Sequence, residues 1–226
     1  KKREDLLIII FDKTINVSCK YSLTAMPSAP IIWDKKYNNG KCRALIVNSG
    51  NANAYTGNLG LQNIEKYANK LAKYLSCSKN EILVSSTGVI GEQLNPNLIC
   101  KQISKLFFSN NKMLIDAARS IWTTDTFVKT SINNVKILNK NIKIYGFAKG
   151  SGMISPNMGT MLAYIFIDCE INRRELKKLL SDNIEETFNS ISVDSDTSTS
   201  DTLMLFSNPI YKINLNKTNY NKISKT

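Results

Sequence analysis

Apolar side chains at positions 61, 64, 68, 71 and 75 (Leu61, Ile64, Ala68, Leu71, Leu75) recur every three or four residues, with lysines between them. That spacing predicts an amphipathic helix whose stripe turns toward a core. Residues 8–11 and 44–48 are instead short continuous apolar runs and predict buried strands. Residues 81–86 predict a strand that runs directly into Thr87-Gly88, where glycine permits a sharp turn. Pro96 suits the first turn of a helix carrying Ile99, Ile103 and Leu106, and a further helix is expected over 112–122.

Two alternating stretches, 131–138 and 141–147, are joined at Asn139-Lys140 and predict a hairpin. An irregular loop over 149–159 contains Gly150, Gly152, Gly159 and Pro156, and feeds an apolar strand over 160–167. Asn172 is placed to cap a helix extending to about residue 189. A polar loop, 194–201, precedes a last strand at 203–206, and the Asn/Lys-rich tail from residue 214 is expected to be poorly ordered. Interleaved strands and helices with a hairpin point to an α/β (α+β) fold, a layered sandwich of mixed sheet and helices.

Composition narrows the chemistry more than the fold. The 226 residues carry a formal net charge of +12, which first suggests nucleic acid. The lysines are spread along the chain without stacking aromatics between them, so that partner is not favoured. No stretch reaches the roughly 18 apolar residues of a membrane span, and the opening Lys-Lys-Arg-Glu-Asp leads into no signal-peptide core. The expected location is the cytoplasm. The five cysteines are scattered, with no CxxC pair, and are expected to be reduced. Histidine is absent, so a nucleophile within these residues works without imidazole and takes its base from an amine, a carboxylate or a lysine.

Lys149-Gly-Ser-Gly-Met-Ile-Ser-Pro-Asn-Met-Gly159-Thr160-Met-Leu offers such a nucleophile. If the Gly159–Thr160 bond undergoes an N-to-O acyl shift and hydrolyses, Thr160 becomes a new N-terminus. Its α-amine, with an ordinary pKa of about 7.7–8.0, then serves as base for its own hydroxyl. On spacing alone such a segment is more often an ordinary loop before a core strand, and both readings stay open. Asp194, Asp196 and Ser198 alternate like the first ligands of a calcium loop, but Thr199 and Leu205 stand where its glycine and glutamate belong, so no metal is expected. No phosphate loop or dinucleotide fingerprint occurs, and no bound cofactor is implied.

The segment 149–162 closely resembles the self-cleavage motif of the ornithine acetyltransferase family, KGSGMIxPNMATML, with Gly159 replacing the alanine. Other segments follow in the family's order. Asn48-Ser-Gly-Asn-Ala-Asn-Ala-Tyr-Thr-Gly57 is similar to NSGNANACTG, with Tyr55 in place of cysteine. Ser86-Thr-Gly-Val-Ile-Gly-Glu92 matches STGVIGE, and Thr123-Thr-Asp-Thr126 matches TTDT. Val193-Asp-Ser-Asp-Thr-Ser-Thr-Ser-Asp-Thr202 resembles VDGDTSTNDT. Ordered matches of this kind are far more specific than one short motif.

The resemblance implies a self-processing N-terminal-threonine enzyme fold, cut between Gly159 and Thr160 into an α chain (1–159) and the start of a β chain (160–226). It implies acetyl transfer from N2-acetyl-L-ornithine to L-glutamate in arginine biosynthesis, through an acetyl-Thr160 intermediate, with acetyl-CoA a possible co-substrate. Thr87 and Gly88 match the oxyanion-stabilising pair, and Thr123, Lys149 and Thr160 match substrate contacts. Paired α and β chains from one precursor, in a heterotetramer or larger assembly, are the expected partners. Later family segments, with a substrate-contacting glutamate, an asparagine and a threonine, have no counterpart here. Another N-terminal-nucleophile amidohydrolase or aminopeptidase is the alternative enzyme, and a truncated non-catalytic relative with a basic anion- or RNA-binding surface is the non-enzymatic one.

Overall fold

The structure, a computed structural model, describes residues 4–106, 113–152, 161–192, 194 and 198–226. Its longest strand, β1 (Leu6–Tyr21), begins with a run of Leu, Ile and Phe that favours a pleated, buried surface. The first half pairs antiparallel with β2 (Lys41–Asn51), from Leu6↔Asn48 to Ile10↔Ala44. A register shift follows between Ile10 and Ile15. The second half then pairs with β7 (Thr202–Lys212), from Asn16↔Ser207 to Tyr21↔Thr202. β3 (Ile82–Val89) lies parallel to β2. Beyond β7 follow β6 (Leu162–Glu170), parallel to it, and then the hairpin of β5 (Lys140–Lys149) and β4 (Lys129–Ile137). The seven-stranded order is β3-β2-β1-β7-β6-β5-β4.

The sheet folds over on itself at β1. In a flat sheet β3 and β6 would lie about 19 Å apart, at roughly 4.8 Å per strand. Instead Leu83 of β3 and Leu45 and Val47 of β2 share one buried cluster with Tyr164 and Phe166 of β6 and Phe206 of β7. The irregularity in β1 is the corner that lets one strand serve both halves, as bulges do in sandwiches.

Alternate residues of these strands face outward. Ala44 and Ile46 meet Ile64, Tyr67 and Leu71 of α2 (Gly57–Tyr74) and Ile99 and Ile103 of α3 (Pro96–Leu106). Leu203 and Leu205 meet Leu176 and Leu179 of α5 (Arg173–Asn183) and Ile223 of α6 (Lys217–Ser224). Helices outside and two sheet halves inside make four layers. Strands buried on both faces read as continuous apolar runs, which is why 44–48 and 162–167 show no alternation.

Several elements depart from expectation. α1 (Ala29–Tyr37) was not expected: it buries Ala29, Pro30, Ile31, Trp33 and Asp34 and has no single apolar stripe. It shields the free edge of β3, where Trp33 Nε1 donates to the Ile82 carbonyl (3.2 Å) and the Val84 N–H donates to Asp34 Oδ1 (3.1 Å). The helix expected over 112–122 is shorter, α4 (Leu114–Ser120). The helix after Asn172 stops at Asn183, although the Asn172 cap forms and accepts from the Glu175 N–H (3.0 Å). The tail is not loose: Asn216 caps α6, and Ile223 packs into the core. The hairpin turns at Leu138-Asn139, one residue earlier than expected, because Ile137 pairs with Lys140.

Candidate functional site

The ends of β2 and β3 lie side by side, with Ser49 opposite Thr87 and Gly50 opposite Gly88. The two sequence segments they carry, 48–57 and 86–92, are tied together beyond the strands. Ser86 Oγ donates to Asn48 Oδ1 (2.5 Å), the Ala52 N–H to the Val89 carbonyl (2.8 Å) and Asn51 Nδ2 to the Glu92 carbonyl (3.0 Å). Gly88 has φ +131°, and a Cβ there would stand 2.2 Å from the Gly50 carbonyl carbon. Only glycine fits this approach. Thr87 beside it is buried.

Ser49 carries the site across the fold. Its hydroxyl donates to the Ser120 carbonyl at the end of α4 (2.7 Å), bringing residues 120–126 beside the β2–β3 end. In that loop Thr123 Oγ1 accepts from the Lys149 ammonium (3.0 Å). Lys149 is 4% exposed, so it is not the solvated surface lysine that lysines usually are. It sits at the end of β5, paired with Leu162 of β6, and not within the loop that follows.

Two buried aspartates complete the arrangement. Asp125 Oδ1 accepts from the Gly150 N–H (2.8 Å) and from Lys129 Nζ (2.6 Å). Burial pushes its carboxyl up, but the hydrogen bonds from Lys129 and Gly150, with the charges of Lys129 and Lys149, outweigh that and hold it below the usual carboxylate range. Asp201 is fully buried, and its Oδ1 accepts from the Met161 N–H (2.7 Å). Burial raises its carboxyl to about 7, opposed by the Met161 N–H, the Ser198 hydroxyl and the Lys149 charge. Ser198 lies near enough to favour the charged form, yet Asp201 Oδ2 has no hydrogen bond of acceptable geometry among the described residues.

Of the residues singled out by sequence, Thr123 and Lys149 touch, and Thr87-Gly88 are linked to their loop through Ser49 and Ser120. Gly159 and Thr160 lie outside the described residues, as does Asp196; the described structure begins again at Met161. Asp125 and Asp201 were overlooked individually, although both stand inside motifs already noted, in stretches otherwise rich in Thr and Ser. Among the described residues no group of three or more His, Cys, Asp or Glu side chains gathers to hold a metal.

Helices outside and two sheet halves inside make a layered α/β sandwich that solved structures share. The L-aminopeptidase D-Ala-esterase/amidase of Ochrobactrum anthropi, described as a new variant of the Ntn hydrolase fold, superposes with a TM-score of 0.52. That match covers 98% of this chain and 76% of the other at 11% identity, a likeness of fold alone. The chain belongs to the ArgJ family, whose sequence model matches residues 1–226.

The arginine biosynthesis bifunctional protein ArgJ of Bradyrhizobium diazoefficiens is 43% identical over 208 residues, 91% of this chain and 50% of that protein. The chain thus spans about half the length of the curated relatives it matches. The crystal structure of the Bacillus halodurans argJ protein superposes with a TM-score of 0.61 at 30% identity, covering 72% of this chain and 85% of that one. The ornithine acetyltransferase of Mycobacterium tuberculosis, complexed with ornithine, superposes with a TM-score of 0.55 at 24% identity, covering 70% and 84%.

Proposed function

We propose that this chain supplies the nucleophile-bearing part of an ornithine acetyltransferase, which moves an acetyl group from N2-acetyl-L-ornithine to L-glutamate. The buried Lys149 ammonium on Thr123 carries the reading. A desolvated cation beside a hydroxyl is a suitable receiver for an amino-acid carboxylate, and it stands on the strand that leads into the segment containing Thr160.

In this reading the chain cuts itself between Gly159 and Thr160, leaving an α chain of 1–159 and a β chain that starts at Thr160. The freed α-amine takes the proton from Thr160 Oγ, and Oγ attacks the acetyl carbonyl carbon. The tetrahedral oxyanion is met by the Thr87 hydroxyl and the Gly88 N–H, each such donor contributing about 3–4 kcal/mol when preorganised. Collapse expels the ornithine amine with a proton and leaves acetyl-Thr160. The glutamate amine then attacks the ester, regenerating the hydroxyl. Among the described residues after 160, β7 is hydrogen-bonded to β1 and β6 to β5, so cutting would leave the sheet joined.

No resident cofactor takes part in these steps; acetyl-CoA enters, if at all, as an alternative acetyl donor. The two chains from one precursor pair as a heterotetramer or larger assembly. The family resemblance and the relatives named for arginine biosynthesis support the substrate assignment.

Intact mass of the full-length protein beside its Thr160→Ala variant tests the reading. Two fragments divided at Gly159/Thr160 are expected only in the parent, together with acetylglutamate formed from acetylornithine and glutamate. A single uncut chain in both samples overturns it. Acetate released with no acetylglutamate formed would point to an amidohydrolase instead.

A further inference from the structure

The inner faces of β3 and β6 meet beneath the site. Residues two apart share a strand face, so Leu83, Ser85 and Thr87 of β3 point inward together. Leu162, Tyr164 and Phe166 of β6 face them, and these three share the buried cluster between the sheet halves with Leu83. Lys149 is paired with Leu162, one inward position beyond Tyr164, just as Thr87 is one inward position beyond Ser85. Lys149 and Thr87 therefore stand on opposite walls of a gap of about 10 Å, the ordinary spacing of packed sheets. Ser85 and Tyr164 form its floor.

Ser85 is 1% exposed and Tyr164 is fully buried. Neither hydroxyl has a hydrogen bond of standard geometry among the described residues. They nevertheless lie close enough for the Ser85 hydroxyl to favour the charged phenolate, against the burial that raises the Tyr164 phenol above its ordinary value. Their surroundings are apolar: Val47 is opposite Ser85, and Phe147 and Met204 flank Tyr164. Alanine and phenylalanine would fill the same space, and a buried hydroxyl without a partner costs stability. Such groups are rarely left in a core without a role. Hydrogen bonds in unliganded sites are often long or poorly aligned and tighten once substrate is bound.

We propose that Ser85 and Tyr164 are positioning residues, a cross-sheet pair that sets the separation between Lys149 and Thr87-Gly88 and so fits the site to an acyl donor bearing a carboxylate. The proposal rests on the reading of Lys149 as carboxylate receiver and of Thr87-Gly88 as oxyanion donors. A donor of this class engages both walls at once: β5 holds its carboxylate while β3 meets its acyl oxygen. The two walls are far apart in the strand order, with β2, β1, β7 and β6 between β3 and β5. Their separation is therefore set by side chains that meet across the core, and Ser85 and Tyr164 meet one position below the site. An acyl donor without a carboxylate uses the β3 wall alone and is indifferent to that separation.

The test compares the full-length protein with Tyr164→Phe, Ser85→Ala and the double variant. Two acetyl donors are used, acetylornithine and p-nitrophenyl acetate, the second having no carboxylate. Each single variant is expected to lower kcat for acetylornithine about five- to tenfold with KM within about twofold, as loss of one hydrogen bond in the reacting complex would. The double variant is expected to be no slower than the slower single, because the two hydroxyls act as one unit. Turnover of p-nitrophenyl acetate stays at the parent rate, and Ser85→Thr, which keeps a hydroxyl, recovers part of the loss with acetylornithine. Equal losses with both donors, no loss with either, or losses that multiply in the double variant overturn the proposal. A parent that leaves acetylornithine untouched removes the functional reading instead, and denaturant midpoints then decide the pair. A double variant destabilised less than the sum of the singles upholds the contact, and additive midpoints overturn it. If one variant fails to fold, the comparison of the two donors in the other decides.

Discussion

Lys149 donates through its ammonium to the Thr123 hydroxyl across 3.0 Å, although 26 positions separate them in the chain. This contact ties the end of β5 to the loop after α4, which Ser49 ties in turn to the end of β3. Segments that look unrelated along the sequence thereby become one surface.

Lys149→Met keeps the buried stem and removes the charge. The expected result in the full-length protein is a KM for glutamate about 10- to 100-fold higher, the loss of a charge-assisted contact worth roughly 1.5–3 kcal/mol. Steady-state assays with glutamate varied at saturating acetylornithine measure it. An unchanged KM would remove Lys149 from the substrate contacts.

Gly88→Ala forces a methyl against the backbone of Gly50 and Asn51, at 2.2 and 2.5 Å, in a φ of +131° that side chains rarely adopt. The ends of β2 and β3 must separate. The cost is expected at about 2–3 kcal/mol or more, seen as a lower midpoint in denaturant, with acetyl transfer lost by at least a hundredfold. A variant as stable and active as the parent would show that the close approach does not exist.

Asp34 gives a pH dependence with a definite sign. It is 2% exposed, and burial raises its carboxyl well above the usual range, opposed only by the Val84 N–H and the Tyr21 hydroxyl. The folded chain therefore holds this proton more tightly than the unfolded chain. The contribution to stability is complete below the ordinary carboxyl value of about 4 and declines as pH rises through the folded value. Asp34→Asn keeps an acceptor for Val84 and removes the titration. Denaturant midpoints taken from pH 4 upward are expected to fall less steeply in the variant, and parallel curves would refute the assignment.

Leu138 turns the β4–β5 hairpin with φ +53° while 78% of its surface is exposed. A leucine there bears left-handed strain of about 1–2 kcal/mol without a packing contact in return. Leu138→Asn is expected to stabilise the fold by about 0.5–1 kcal/mol, raising the melting temperature by a few degrees. A melting temperature unchanged or lower would mean that the side chain packs usefully where it stands.

The sequence by itself determined the local grammar of this protein. Helix α2 follows from the spacing of Leu61, Ile64, Ala68 and Leu71, the α5 cap from Asn172, and the buried strands from apolar runs, because these depend on neighbours a few residues apart. Motif order also made the family legible, and with it Thr87, Gly88, Thr123 and Lys149. Only the tertiary structure decided that β1 would turn at its bulge and serve both halves of the sheet, since that choice is set by packing between strands far apart in the chain. The same is true of α1, whose Trp33 and Asp34 are explained by the edge of β3 and not by any periodicity. Asp125 and Asp201 look alike in sequence to the other aspartates of their loops. Their distinction lies in burial and in the two backbone N–H groups they meet, and both arise only when the sheet has folded over.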